Sequence, residues 1–169
     1  MATPDAQENP LARNLHWALT LYTVFVLAQS LAFKFLGSAE TVYIFETVLD
    51  GWAAQWGAEG LFATGGALSA TTIAGLELCA ALMLLIGAMH PRLRAVQGLG
   101  AVLALVLIVG ALGLHLLSPL GVVVRSPEGT GDGGTLFIMA CGVALACSVL
   151  TWMRREDLGS LLHFGRRRS

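Results

Sequence analysis

The sequence predicts an all-α integral membrane protein: a four-helix bundle with a short amphipathic helix on its outer face, between the first and second spans. Three observations carry that prediction. Of 169 residues, 56% are apolar and only 12% charged, with a mean hydropathy of +0.72, whereas soluble domains run at about 45–50% apolar and about 25% charged. A single domain of this length keeps too much surface to hide that excess inside, which excludes a soluble enzyme and a disordered chain alike. The apolar residues gather in four runs near the ~20 residues that cross a bilayer as a helix. The Lys and Arg residues flank those runs on one side.

Residues 1–15 form a tail with Asp5, Glu8 and a lone Arg13. A cleavable signal peptide has a basic leader and a shorter apolar stretch, so the first run, 16–36, reads as an uncleaved span with Lys34 as its one formal charge. The connection 38–64 carries Glu40, Glu46, Asp50 and Glu59 and neither Lys nor Arg. On a helical wheel Val42, Phe45, Val48, Leu49, Trp52 and Trp56 share an arc opposite Glu40, Glu46 and Asp50. Ser38 is placed to cap that helix, Gly51 to break it, and the two Trp suit the headgroup level. Glu46 and Asp50, four residues apart, read as a solvated acidic face in preference to a cation site.

The second span, 65–89, is interrupted by Glu77 and closed by Gly87 and Pro91, with Gly66, Ala70 and Ala74 as a ridge of small residues for close helix packing. The third, 95–117, ends at Ser118-Pro119, and Gly110 and Gly113 thin its outer part. The fourth, 135–153, holds no charge, and 154–169 is a basic tail. Arg13, Arg92, Arg94, Arg154, Arg155 and Arg166 to Arg168 make eight of the ten basic residues, so both termini are expected in the cytoplasm. Nine Arg to one Lys points to a GC-rich genome and a bacterial inner membrane. The net charge of −1 and the lack of basic–aromatic interleaving speak against nucleic acid. Cys79, Cys141 and Cys147 read as small buried hydrophobes. Neither a disulfide framework nor a metal site is expected.

Ionisable residues at membrane depth have a task or a partner. Glu77 lies about 18 Å from the outer start of its span and Lys34 about 4 Å from the outer end of its own. The offset of about 14 Å exceeds a combined side-chain reach of roughly 10 Å. Lys34 therefore either snorkels to the interface or, with a shift of span boundaries, meets Glu77. His115 sits near the outer end of the third span, placed to donate to a ligand or to a backbone carbonyl. Gln29 and Ser30 lie a turn inside Lys34. Lys34, Glu77 and His115 come from three helices in the outer half, which suggests a polar pocket for a quinone headgroup or a small anion. His16, His90 and His163 read as surface residues at the inner rim.

These segments resemble a known family. Lys34-Phe35-Leu36-Gly37-Ser38-Ala39-Glu40-Thr41-Val42-Tyr43-Ile44-Phe45 is similar to the K-F-x-G-x-x-E-x-V-Y-I-F stretch after the first span of DoxX-like membrane proteins. Gly75-Leu76-Glu77-Leu78, followed by Leu82 to Gly87, resembles the second-span pattern. Gly110-Ala111, His115-Leu116 and Leu120 to Val124 resemble the third span and its tail, and Asp132-Gly133-Gly134-Thr135-Leu136-Phe137 the entry to the fourth. The resemblance implies a four-helix membrane protein related to a subunit of a thiosulfate:quinone oxidoreductase, with Lys34, Glu40, Glu77, His115 and Asp132 on motif positions. The expected function is a quinone- or small-anion-binding subunit of a membrane redox system. The alternative is a non-catalytic scaffold or assembly factor. Expected partners are the lipid bilayer, a redox subunit and a second copy of the chain. No haem, iron–sulfur or dinucleotide pattern is present in the sequence, and quinone is the one cofactor entertained.

Overall fold

A computed structural model of the chain describes residues 10–166. Asp5 and Glu8 of the N-terminal tail, and Arg167 and Arg168 of the basic tail, lie outside the described residues. The elements run α1 Pro10–Phe35, α2 Ala39–Val42, a π-helical turn Tyr43–Leu49, α3 Asp50–Ala54, α4 Ala70–Met89, a 3-10 turn Pro91–Leu93, α5 Arg94–Leu117, α6 Thr135–Met153 and α7 Arg155–Arg166. No strand forms among the described residues; Arg125 and Gly131 make one isolated antiparallel bridge.

Four helices are long and apolar enough to cross a membrane, so the chain is a multi-pass membrane protein. They close into a ring in which α1 packs on α4, α4 on α5, α5 on α6 and α6 on α1. Their outward faces are as apolar as their inward ones. Phe25, Val106 and Leu145 are each at least 64% exposed, the pattern of helices solvated by hydrocarbon. The interior is filled mostly by small residues: Ala80, Ala81, Ala101, Ala104 and Cys147 surround Leu27, Leu84, Val143 and Leu150. Cys147 is thus buried as expected, but Cys141 is half-buried and Cys79 faces outward.

The second span starts five residues later than its apolar run. Ser69 is extended and its hydroxyl accepts from the Thr72 N–H, which caps α4, while Gly57, Gly60 and Gly65 take left-handed φ in the turns before it. Gly66 consequently lies in a turn pressed on the Gly60 and Leu61 carbonyls and is no part of a helix ridge. The close approaches are elsewhere. A Cβ on Gly87 would collide with Gln97, and one on Gly100 would meet Met83 Cβ at 2.8 Å and Leu84 N at 3.0 Å. Gly110 and Gly113 have open space where a Cβ would be, so they pack no helix within this chain.

The amphipathic segment forms where expected. Ser38 Oγ accepts from Thr41 N at 3.2 Å, and Leu49, Ala53 and Phe62 form a small core against Leu114 and Leu120. Its backbone differs from a plain α-helix. The π-helical turn widens the spacing of the side chains, so Ile44 and Ala53 join the buried side while Trp56 is exposed. Gly51 sits inside α3 and breaks nothing. This cap lies at one end of the bundle with the 118–134 loop, and we call that end the cap side. The opposite, basic side carries both described ends of the chain. There α7 follows α6 directly and Leu158 packs on Gly98, so part of the expected tail is helix.

Candidate functional site

On α1, residues 16, 20, 23, 27, 30 and 34 are spaced four, three, four, three and four apart, and so share one face. That face turns into the bundle and is polar at both ends: His16, Thr20 and Thr23 are buried toward the basic side, and Lys34 is half-buried at the cap side. Two polar clusters result, separated by Leu27.

At the cap side Lys34 Nζ lies 2.5 Å from Glu77 Oε1. The two side chains are 13% and 10% exposed. Lys34 also donates to Ser30 Oγ at 2.8 Å, and Ser30 Oγ reaches Glu77 Oε1 at 3.5 Å. The expected shortfall in reach disappears because α4 begins at Ala70. Glu77 is then about 10 Å, not 18 Å, from its helix start, and Lys34 is one residue from the end of α1. Glu77 Oε2 is buried with no hydrogen-bond partner. Beside the pair, Lys34 lines a cavity of about 100 Å³ with Thr41, Glu46, Phe62, Thr64 and Ser69. The cavity lies where α1, the cap and the start of α4 meet.

The other predicted residues are placed apart from this pair. Gln29 is exposed on the far face of α1, one position away from the polar stripe. Glu40 is exposed on the cap. His115 is buried and donates from Nδ1 to the Gly121 carbonyl at 2.6 Å, with its ring edge-on to Phe137. It makes no hydrogen bond to Lys34, Ser30 or Glu77 among the described residues. It anchors the 118–134 loop instead.

Asp132 organises the same loop. Its Oδ1 accepts from the N–H groups of Val124 (2.8 Å) and Gly134 (3.0 Å), and its Oδ2 from Leu136 N–H (3.0 Å). Gly133 and Gly134 are left-handed, a conformation that costs glycine little and that lets the chain wrap the carboxylate and enter α6. Desolvation pushes the Asp132 carboxyl up. The Leu136, Gly134 and Val124 N–H groups, with His115 nearby, outweigh it and hold the carboxyl below its usual value. Asp50 does the same for the loop before α4. The Phe62 N–H lowers its carboxyl, desolvation opposes, and the Gly60 and Ala63 N–H groups add to the lowering. Glu46 accepts from Thr64 Oγ1. Glu40 and Glu46 of the expected acidic face are exposed, and Glu46 and Asp50 also anchor the loop before α4.

The second polar cluster lies at the basic side. Arg154 donates from Nε to Gln97 Oε1 (2.8 Å) and from Nη2 to His16 Nε2 (2.9 Å). Gln97 Nε2 lies 2.6 Å from His16 Nε2 and donates to Thr20 Oγ1 (3.0 Å). His16 Nε2 also lies 2.8 Å from Gln97 Oε1, so the ring sits between the Gln97 amide and the Arg154 guanidinium. His16 is 7% exposed and Gln97 fully buried, so the expected solvated His16 is a buried network member. The signal was the 16–20–23 spacing on a face that also carries Lys34.

Fold and clusters together define a multi-pass helical bundle with a charged pair inside its cap-side half. No family model, no curated protein and no solved structure matches the chain.

Proposed function

We propose that the chain is a DoxX-like subunit of a bacterial inner-membrane redox system, with the cap on the outer face and both termini in the cytoplasm, and that Lys34 and Glu77 form its binding site. The observation that carries this reading is the Lys34–Glu77–Ser30 cluster beside the cavity. A cation lines the cavity, and behind it a carboxylate keeps one buried oxygen, Oε2, without a donor. Intramembrane ion pairs of this kind mark ligand and proton sites. Of the two ligands considered, the small anion suits the volume better. About 100 Å³ falls below the ~150 Å³ that admits a benzene-sized ring, so a quinone headgroup requires the cap to move.

The test uses wild type and Glu77→Gln in native-lipid nanodiscs, extracted for quinone and titrated with thiosulfate. Near-stoichiometric quinone that falls in Glu77→Gln, or saturable thiosulfate binding that falls when the cation is removed in the double variant Lys34→Met/Glu77→Gln, supports the reading. Background quinone and no thiosulfate binding in either protein overturns it.

The same ion pair favours a second reading, a non-catalytic scaffold in which Lys34–Glu77 locks α1 to α4. The reciprocal swap, Lys34→Glu with Glu77→Lys, separates the two. Restored stability with lost ligand binding fits the binding site, whereas restored stability and unchanged partner recovery, with no ligand bound by any variant, fits the scaffold.

A further inference from the structure

The cap has a second cavity on another flank, and nothing in the reading above uses it. Its volume is about 290 Å³, and Tyr43, Val48, Pro119, Leu120, Val123 and Arg125 line it. Its walls are polar and apolar in about equal parts, it opens to the surface, and it lies between the π-helical turn and the 118–134 loop. Two polar side chains face it, and neither has a partner. Arg125 makes no side-chain hydrogen bond or ion pair, and the Tyr43 hydroxyl makes no hydrogen bond, among the described residues. Lys34, the other cation of the cap side, is already held by Glu77.

The backbone around Arg125 is held in place, with Arg125 bridged to Gly131. Asp132 binds the Val124 N–H, and Val124 itself is buried. Ser126 N–H donates to the Thr130 carbonyl at 2.8 Å, and the Ser126 and Thr130 hydroxyls meet at 2.7 Å. The cavity wall at Gly121 is pinned by His115. A site whose backbone is fixed before binding loses less entropy when a ligand arrives.

We propose that this cavity binds a small amphiphilic carboxylate: one acid group and about one ring's worth of apolar body. The guanidinium presents a planar fork that fits a carboxylate, and Tyr43 supplies a further donor. Val48, Pro119, Leu120 and Val123 cover the apolar part. The volume is roughly twice the ~150 Å³ that holds benzene in an engineered core, which leaves room for the acid group and a short substituent. One cation and no second one disfavours a polyanion. Apolar side chains beside an exposed guanidinium and a phenol match the composition of a ligand pocket, a few polar groups fixing the orientation of an apolar body.

The probe is 4-fluorobenzoate, titrated onto the full chain in nanodiscs and followed by 19F line broadening, with empty nanodiscs as the background. Wild type is expected to broaden the signal saturably. Arg125→Gln weakens binding about tenfold, the loss of a charge-assisted pair. Arg125→Lys falls between, since it keeps the charge and loses the fork, and Tyr43→Phe weakens binding a few-fold. The neutral isostere 4-fluorobenzyl alcohol binds about as weakly as the acid does to Arg125→Gln. Arg125 is exposed, so its variants fold. Broadening equal to that of empty nanodiscs, or unchanged in Arg125→Gln, overturns the site. A loss in the double variant Lys34→Met/Glu77→Gln, which removes the cation without stranding the carboxylate, as large as that in Arg125→Gln also overturns it, because the ligand then belongs to the Lys34 cavity.

Discussion

Lys34 and Glu77 are partners of unequal freedom, and that inequality is measurable. Lys34 is one residue from the end of α1, so its long stem can carry the ammonium to the interface if Glu77 is neutralised. Glu77 lies in the interior of α4 and has no such exit. Lys34→Met strands a buried carboxylate and is expected to lower stability by about 3–5 kcal/mol. Glu77→Gln keeps an acceptor for Lys34 and Ser30 and should cost nearer 1–2 kcal/mol. Unfolding midpoints in mixed detergent micelles check this, and equal losses would show that Lys34 is held as tightly as its partner. Asp132 gives a second prediction. Its carboxyl lies below the ordinary 3.8 in the folded chain, so its contribution is present above that value and fades as pH falls through the lowered one. Amide exchange at Val124, Gly134 and Leu136 should stay slow at pH 7, accelerate below about pH 4 beyond the intrinsic rate change, and be fast at pH 7 in Asp132→Asn, which cannot accept at both positions. At this scale the sequence made Lys34, Ser30 and Glu77 legible as candidates, because charge in an apolar run stands out. It hid Asp50 and Asp132 as loop anchors, because an acidic residue on a helix or in a loop looks the same whether it faces water or three backbone N–H groups.

The four spanning helices were legible because each is a long apolar run, and α6 spans 135–153 as read. The start of α4 was not, because Gly66 to Leu68 are apolar without being helical, and only the Ser69 cap decides the boundary. That one boundary governed whether Glu77 could reach Lys34. Helix packing shows a similar split between composition and geometry. Gly110 and Gly113 look like packing residues and touch nothing, while Gly87 and Gly100 carry the α4–α5 approach. Gly100→Ala should therefore force the two helices apart and cost about 1–3 kcal/mol. Gly110→Ala, with open space and a helical backbone, should be neutral or stabilise by up to about 1 kcal/mol. The same detergent midpoints rank the pair, and a destabilising Gly110→Ala would reveal a packing surface outside this chain. The π-helical turn of the cap escaped the helical wheel because a wheel assumes one residue spacing throughout, and a wider turn rotates everything after it.

Across the whole molecule, polar contacts sit at both ends of the bundle and small apolar residues fill its waist. Ala80, Ala101 and Ala104 pack closely but specify little register, since similar surfaces slide past one another at little cost. The ends supply the specificity. His16, Gln97 and Arg154 join α1, α5 and the end of α6 at the basic side, and Lys34 and Glu77 join α1 to α4 at the cap side. The basic cluster also bears on orientation. Arg13, Arg92, Arg94, Arg154 and Arg155 collect at the end opposite the cap, as the expected cytoplasmic side requires, and Arg125 at the cap side is too isolated to reverse the bias. Orientation is then an experiment on two exposed positions. Glu128 lies in the 118–134 loop and Ser160 on α7, at opposite ends of the bundle, while Cys79, Cys141 and Cys147 lie within spans, out of reach of a membrane-impermeant thiol reagent. In intact cells Glu128→Cys should label and Ser160→Cys should not, and permeabilisation should make Ser160→Cys label as well. The reverse pattern would put the cap, with both of its cavities, in the cytoplasm, and their ligands would then have to be cytoplasmic anions.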